Sequence, residues 1–244
     1  MRLALFSDIH GNIRGLDACL EDLRTQGGAD TIVGVGDYCM DGPRPRAVVE
    51  RLRDLEAVCV RGNTDRAIGE TGAPDDSGDA RERAALAWQR EELGERDVAW
   101  FRDLPFSARF GVADGALLVA HANPQTDDEH LWPDADDARL ERAFAGVVER
   151  TFAFGHLHLP YARVWRDRLL VNVASAGLPK DGDPRAGYAI LTQRSGGWEV
   201  KHRRVAFDVD RVARDIERSG MPDRAKRVNV LRRHRYKELD ERIP

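Results

Sequence analysis

The sequence predicts an α/β protein built on two β-sheets with helices outside both. Two observations support this fold class. The first 60 residues alternate apolar, strand-like runs with amphipathic helices, which is typical of a parallel sheet with right-handed crossovers. The later part of the chain is rich in short apolar runs separated by turn residues, which is typical of hairpins in a second sheet.

Three strands and two helices are predicted in the N-terminal part. The first strand is RLALF, and the helix that follows, IRGLDACLEDLRTQGG, carries its apolar residues on one stripe and ends at two glycines. The second strand is DTIVGVGD. The second helix, RPRAVVERLRDL, begins at Pro45, and EAVCVRGN is the third strand.

The chain then changes character. The Gly- and Asp-rich segment IGETGAPDDSGDA predicts a loop, and two helical segments follow within residues 80 to 103. The next strand pair is FSARF and GALLVAH, with VADG as the turn between them.

The remaining elements are one strand, two hairpins and two helices. PDADDARLERAFAGV predicts a helix and RTFAFGH a strand. The first hairpin joins YARVW to RLLVNV through RDR, and the second joins GYAILTQ to GWEVKHRRV through RSGG. Asp208 is the expected N-cap of the helix VDRVARDIERSG.

No repeat or linker divides the chain into separate domains. The stretch RAKRVNVLRRHRYK, residues 224–237, is basic with apolar residues interleaved. It predicts either a contact with nucleic acid or an acidic partner, or a helix laid over the core with solvated arginines, and we favour the helix. We therefore expect one domain over residues 1–207 and a C-terminal helical extension, 208–244, packed on it.

Composition excludes several classes of protein. The 244 residues carry a formal net charge of −4, so nothing draws the whole chain to nucleic acid or to an anionic membrane. No apolar run approaches the roughly 20 residues of a membrane helix. The three cysteines show no CxxC spacing, and the N-terminus lacks a secretory pattern, so we expect reduced thiols and a cytoplasmic location. The oligomeric state cannot be predicted.

Metal-capable side chains follow five predicted strands at their C-terminal ends, the edge where open α/β sheets bind ligands. These side chains are Asp8, His10, Asp37, Asn63, His121, His156 and His158. Each alone has an ordinary explanation, because Asp commonly caps a helix, Asn after Gly forms turns, and a single His is usually a satisfied polar group. Their joint arrangement at strand ends favours a metal site.

The types of ligand indicate which ions bind. Carboxylate, imidazole and amide ligands without thiolate suit manganese, iron, zinc, nickel or cobalt, and manganese is the expected ion. Six or seven ligands are too many for one tetrahedral ion but suit two ions about 3.5–4 Å apart, with Asp37 as the central candidate for a bridge. Two divalent ions carry four positive charges, of which Asp8, Asp37 and a bridging hydroxide offset three. The remaining positive charge favours a phosphate ester as substrate.

The motifs SDIHGN, GDYCMDGP, RGNTD, AHANP and GHLH resemble those of the calcineurin-like metallophosphoesterases, D-x-H, G-D-x-x-D/G, G-N-H-D/E, H and G-H-x-H. The likeness covers roughly residues 1 to 207 and is closer to compact bacterial members whose first motif reads S-D-I-H-G-N. It implies a four-layer α/β/β/α sandwich of two mixed β-sheets, the metallophosphoesterase fold. It also implies one metal ion on Asp8, His10, Asp37 and His158, and a second on Asp37, Asn63, His121 and His156.

The resemblance also implies a reaction. A metal-bridging hydroxide would attack phosphorus in line, with Asp37, Asn63 and His10 as catalytic residues. Thr64, in GNTD, departs from the family, because many members have a His there that stabilises the transition state or protonates the leaving oxygen. A threonine hydroxyl is no acid near pH 7, so we expect aryl or nucleotide phosphates to be cleaved better than alkyl phosphates. Asp65 is either a replacement acid or a turn carboxylate.

Weaker candidates for binding substrate lie near the motif loops. They are Asn12, Arg61, Thr64 and Arg185, with Arg44 and Lys180 as further possible phosphate clamps. Because the chain has 38 Lys and Arg residues, chance proximity is a strong rival explanation for the basic ones.

The sequence thus predicts a divalent-metal-dependent phosphoesterase that acts on small phosphate esters, with diesters or nucleotides favoured over phosphoproteins. The alternative is a catalytically weak metal-binding scaffold of the same fold that acts through protein partners. Thr64 gives the scaffold some support, but the intact set of metal ligands favours the enzyme.

Overall fold

The first sheet combines the N-terminal strands with the last hairpin. A computed structural model describes residues 1–70, 80–112 and 115–236. The strands of this sheet are β1 (Arg2–Phe6), β2 (Thr31–Gly34), β3 (Val58–Cys59), β9 (Ala186–Arg194) and β10 (Gly197–Val205). Their order is β10-β9-β1-β2-β3, in which β1, β2 and β3 are parallel and β9 runs antiparallel to both of its neighbours.

The second sheet contains the middle part of the chain. Its strands are β4 (Ser107–Phe110), β5 (Leu117–Ala120), β6 (Thr151–Phe154), β7 (Pro160–Trp165) and β8 (Arg168–Val173). Their order is β4-β5-β6-β8-β7, with β5, β6 and β8 parallel and the two edge strands antiparallel. Both sheets are therefore mixed, as predicted.

Helices cover the outer face of each sheet. They are α1 (Ile13–Thr25), α2 (Pro45–Asp54), α3 (Asn63–Gly69), α4 (Ala80–Leu93), α5 (Glu95–Asp103), α6 (Asp137–Ala143), α7 (Val209–Arg218) and α8 (Arg224–Arg233). The predicted helix over residues 133–147 is shorter, as α6. Helix α3 is not predicted from the sequence, because its seven residues are too few to display a helical stripe. Most of the predicted loop 68–80 and residues 113–114 of the VADG turn lie outside the described residues.

The alternation of side chains in β1 shows how the layers pack. Leu3 and Leu5 point into the core between the two sheets, where they are fully buried. Ala4 and Phe6 point to the other face and pack against α1 and α2. On the outer face of the second sheet, Phe152 and its neighbours pack against α6. The predicted four-layer α/β/β/α sandwich is thus confirmed.

The C-terminal helices pack on the body of the protein. Asp208 caps α7 by accepting a hydrogen bond from the backbone N–H of Arg211, as predicted. Apolar residues of α7 and α8 form one cluster with Leu178 and Trp88, while most of the basic residues of α8 face solvent. The basic stretch is therefore a helix over the core up to residue 233. The division of the chain at residue 207 stays a prediction. No helix in the described part of the chain has the length and apolar character needed to cross a membrane.

Candidate metal centre

The polar residues that follow the strands meet at one edge of the two sheets. The loops after β1 and β2 are joined by hydrogen bonds from the backbone N–H of Asp8 to the carbonyl of Gly36 and from that of His10 to the carbonyl of Asp37, both 3.0 Å. Five candidate ligands have a left-handed backbone, which residues other than glycine rarely adopt, with φ between 48° and 66°. These five are Asp8, His10, Asp37, His156 and His158. Such strain is concentrated at functional sites.

The first ligand group consists of Asp8, His10 and His158, all buried. Asp8 Oδ1 lies 3.3 Å from His158 Nε2 and 3.9 Å from His10 Nε2. This oxygen is buried and finds no hydrogen-bond donor among the residues that the structure describes. The other carboxylate oxygen, Oδ2, accepts a hydrogen bond from the backbone N–H of His156. Because an unpaired buried carboxylate oxygen is costly, this arrangement fits a bound cation.

The second ligand group consists of Asp37, His121 and His156. His121 Nε2 lies 3.5 Å from Asp37 Oδ1 and 3.2 Å from the amide oxygen of Asn63, the first residue of α3. The other oxygen of Asp37, Oδ2, lies 3.8 Å from His10 Nε2, which belongs to the first group. The two oxygens of Asp37 therefore face different ligand groups.

Backbone carbonyls fix the orientation of three imidazoles. His121 Nδ1 lies 2.7 Å from the carbonyl of Val35, and His158 Nδ1 lies 2.5 Å from the carbonyl of Leu178. His156 Nε2 lies 2.9 Å from the carbonyl of Asp128. Since a carbonyl only accepts, each of these nitrogens carries a proton. In neutral His156 and His158 the other ring nitrogen presents its lone pair to the site, and His121 reaches this form when a bound cation displaces its second proton. This is the tautomer that a metal ligand requires.

Burial and charge set the protonation of the ligands. Burial lowers the pKa of His10 and His158, and burial together with the charge of His121 lowers that of His156 to about 3. These imidazoles are therefore neutral, the form that binds metal. Burial would raise the pKa of Asp37 and lower that of His121, but their mutual attraction dominates. It holds the Asp37 pKa below its usual range and raises the His121 pKa to about 10.

Asp65 joins the loops that carry Asp37 and Asn63. Its fully buried carboxylate accepts hydrogen bonds from the backbone N–H groups of Asp37 (2.7 Å), Tyr38 (3.0 Å) and Gly62 (2.9 Å). Burial and the nearby charge of Asp37 raise its pKa to about 7. Of the two roles considered from the sequence, the contacts fit the turn carboxylate.

Thr64 and Asn12 differ in their relation to the site. The backbone N–H of Thr64 donates to Asp37 Oδ1 at 3.0 Å. Its hydroxyl oxygen is buried and has no hydrogen-bond partner in the described ranges. Asn12 caps α1, since its side chain accepts from the N–H of Gly15 and donates to the carbonyl of Gly177. These two structural bonds engage both ends of the Asn12 amide, and its role in substrate binding stays a prediction.

The basic candidates are scattered. Arg185 forms a surface ion pair with Asp183, and Arg44 lies 3.6 Å from Asp215. Arg61 Nε lies 3.7 Å from Asp127. Lys180 Nζ, in contrast, lies 3.4 Å from His158 Nε2 and so contacts the first ligand group. Phosphate binding by Arg61 and Arg185 stays a prediction.

Three aromatic residues beside the ligands were missed by the sequence analysis. The ring centre of His130 lies 4.3 Å from that of His156, and Trp132 stacks on His130 at 5.6 Å. The ring centre of Tyr236 lies 6.2 Å from that of His158. No strand end or motif marks these residues, so only the folded structure reveals their position.

Comparison with known proteins identifies the family of the chain. Residues 1–196 match the calcineurin-like phosphoesterase superfamily domain. The chain is 26% identical over 239 residues to an uncharacterized protein of Methanocaldococcus jannaschii, a match that covers 91% of this chain and 94% of that protein.

Solved structures show the same relationship. A metallophosphoesterase from Sphaerobacter thermophilus superposes with a TM-score of 0.73 and 27% identity, covering 96% of this chain and 99% of that chain. A hypothetical protein from Pyrococcus horikoshii shares the fold with a TM-score of 0.82 and 20% identity, covering 94% of this chain and 97% of that chain. The chain belongs to the calcineurin-like phosphoesterase superfamily, a family of divalent-metal-dependent hydrolases.

Proposed function

We propose that the protein hydrolyses phosphate esters, with diesters and nucleotides as the favoured substrates, at a centre of two divalent metal ions. The observation that carries this proposal is the position of Asp37, whose Oδ2 lies 3.8 Å from His10 of one ligand group and whose Oδ1 lies 3.5 Å from His121 of the other. A carboxylate placed between two ligand groups is suited to bridge a pair of ions. Manganese is the proposed occupant because the ligands are oxygen and imidazole nitrogen.

The proposed ligands divide between the two ions. Asp8, His10 and His158 hold the first ion, Asn63, His121 and His156 hold the second, and Asp37 is shared. Ions bound there would lower the pKa of water to near 7 and offset negative charge on the phosphoryl group.

The residues of the chain contribute orientation and charge. The amide of Asn63 presents its oxygen toward His121, which leaves its NH₂ group to donate to a phosphoryl oxygen. Lys180 adds a positive charge beside His158 and supports binding of a second phosphate oxygen. The hydrogen bonds of His121, His156 and His158 to carbonyls keep their other ring nitrogens directed at the site.

The leaving group receives little help from position 64. The Thr64 hydroxyl can donate a hydrogen bond, but it does not supply a proton near pH 7. We do not assign protonation of the leaving oxygen to Asp65, because its carboxylate accepts three backbone hydrogen bonds. We therefore propose that the enzyme prefers aryl esters, and nucleotides in which the leaving group is a phosphate, because these leaving oxygens depart without a proton whereas an alkoxide does not.

The test is hydrolysis of bis-p-nitrophenyl phosphate beside p-nitrophenyl phosphate by metal-stripped protein, alone and with added manganese. We expect turnover that depends on manganese, is faster on the diester, and is abolished by Asp37→Asn. A wild-type protein that binds two ions yet cleaves neither ester would contradict the proposal and favour the scaffold.

A further inference from the structure

We propose that His130, Trp132 and Tyr236 form a subsite that binds a flat aromatic group attached to the substrate phosphate, either a nucleobase or an aryl ring. This inference deepens the proposed function and rests on it. We call these three residues the aromatic wall.

The aromatic wall extends from one ligand group to the other. It begins at His130, whose ring centre is 4.3 Å from that of His156, and continues to Trp132, stacked on His130 at 5.6 Å. Tyr236 lies edge-on to Trp132 at 5.8 Å and ends the wall beside His158, at 6.2 Å. A substrate with its phosphorus at the ligand groups would therefore have its organic substituent within reach of the wall.

Hydrogen bonds from strand β7 fix the loop that carries Trp132. The Tyr161 hydroxyl donates to the carbonyl of Leu131 at 2.5 Å. Arg163 Nη1 donates to the carbonyls of Pro133 (3.0 Å) and Ala135 (2.8 Å). A rigid aromatic surface loses little freedom when a ligand stacks on it, so this support favours binding.

Tyr236 is held on the same apolar base although it lies far along the chain. Its backbone N–H donates to the carbonyl of Lys180 at 3.1 Å. Trp132 and Tyr236 both pack on Leu157 and Leu159, which are buried. The three rings of the wall are themselves only partly buried, so they keep surface that a ligand can contact.

Lys180 links the aromatic wall to the charged part of the site. Its ammonium lies 4.8 Å from the ring centre of Tyr236 and 3.4 Å from His158 Nε2. Positive charge next to aromatic rings matches a ligand in which an anionic phosphate is joined to an aromatic group. Stacking on aromatic side chains tolerates any base, since every base has a π-face. The wall therefore selects for a flat ring rather than for one nucleobase.

The experiment compares ligands that differ only in the aromatic group. Titration calorimetry on the manganese-loaded full chain would measure Kd for phosphate analogues whose P–C bond the enzyme cannot hydrolyse. The pairs are the 5′-phosphonate analogues of adenosine 5′-monophosphate and ribose 5-phosphate, and phenylphosphonate against methylphosphonate. We expect at least one aromatic ligand to bind about tenfold more tightly than its partner, within the range that stacking provides. The pair with the larger ratio shows whether a nucleobase or an aryl ring fits better.

Variants separate stacking from a merely structural role. Trp132→Leu and Tyr236→Leu keep an apolar contact with the buried leucines. Both should reduce the ratio to within about twofold of unity, because the aromatic ligands lose more affinity than the non-aromatic ones. Tyr236→Phe keeps the ring and should keep the ratio.

Three outcomes would overturn the inference. The first is equal affinity of the wild type for the aromatic and the non-aromatic ligand in both pairs. The second is a ratio of affinities that neither leucine variant reduces. Equal weakening of aromatic and non-aromatic ligands would show that the rings only support the metal ligands. Failure of the protein to bind any of the four phosphonates would instead remove the proposed function itself, and the subsite with it.

Discussion

Replacing Asp65 with alanine tests how the loops of the ligand groups are held. The substitution leaves three buried backbone N–H groups without an acceptor, those of Asp37, Tyr38 and Gly62. Each unsatisfied group costs about 1–3 kcal/mol. Part of this cost is offset, because the native carboxylate is itself buried beside Asp37, as its raised pKa of about 7 indicates.

The net effect should be large on the scale of protein stability. We expect Asp65→Ala to lower the free energy of unfolding by about 2–4 kcal/mol, out of the 5–15 kcal/mol typical of a domain. Asp65→Asn is the matched control. Its single amide oxygen can replace Oδ2 and accept from Asp37 and Gly62, while its NH₂ group faces the N–H of Tyr38. We expect Asp65→Asn to lower the free energy of unfolding by about half as much as Asp65→Ala does.

Two assays measure the effect. Urea unfolding of the metal-free variants gives the free energy, and manganese titration gives the affinity, which we expect to fall by about 10–100-fold because Asp37 loses its support. If Asp65→Ala lowered the free energy of unfolding by less than about 0.5 kcal/mol, the three hydrogen bonds to Asp65 would not be what holds these loops. A wild-type stability combined with a lost basic limb of the pH–rate profile would instead identify Asp65 as the acid.

Three further predictions concern the leaving group, the cap of α1 and the pH dependence. Thr64→His should raise turnover of alkyl phosphates by at least about tenfold and change aryl esters little, since an imidazolium can protonate the leaving oxygen; an unchanged alkyl rate would show that position 64 does not limit the reaction. Asn12→Ala should lower the free energy of unfolding by about 1–3 kcal/mol without changing KM, because the cap and a buried hydrogen bond are lost; a raised KM at native stability would instead show that Asn12 binds substrate. Because the His121 pKa is raised from 6.5 to about 10 in the metal-free protein, its contribution to stability is complete below pH 6.5 and is lost as the pH rises through 10. Between pH 6.5 and 10, the Tm of the metal-free wild type should therefore fall more than that of His121→Asn. Parallel curves of Tm against pH for the two proteins would contradict the raised pKa of His121.

The candidate metal centre was predictable because its residues follow strands. A buried parallel strand is readable from its apolar run, and the carboxyl ends of neighbouring strands meet at one edge of the sheet. Asp8 and Asp37 could therefore be placed near each other from the sequence, and their loops are joined by backbone hydrogen bonds in the structure. The same reasoning placed His121 and His158 at the matching edge of the second sheet.

Residues outside this pattern could not be placed. His130 and Trp132 lie in a loop after β5, and Tyr236 follows α8. No periodicity links His130 to His156 or Tyr236 to His158, the ligands that these two rings contact. Asn12 shows a different limit. An Asn before an apolar helical stripe is both a common N-cap and a possible substrate ligand. Its contacts with Gly15 and Gly177 show the cap, while the substrate role stays a prediction.

The most direct test of the central claim is the number of metal ions that activity requires. Metal-stripped protein would be titrated with manganese while bound metal and hydrolysis of bis-p-nitrophenyl phosphate are measured in the same samples. We expect two ions per chain, with full activity reached only when the second ion binds, and loss of paired binding in Asp37→Asn. Full activity with one bound ion, or activity without metal, would contradict a centre of two ions shared by Asp37.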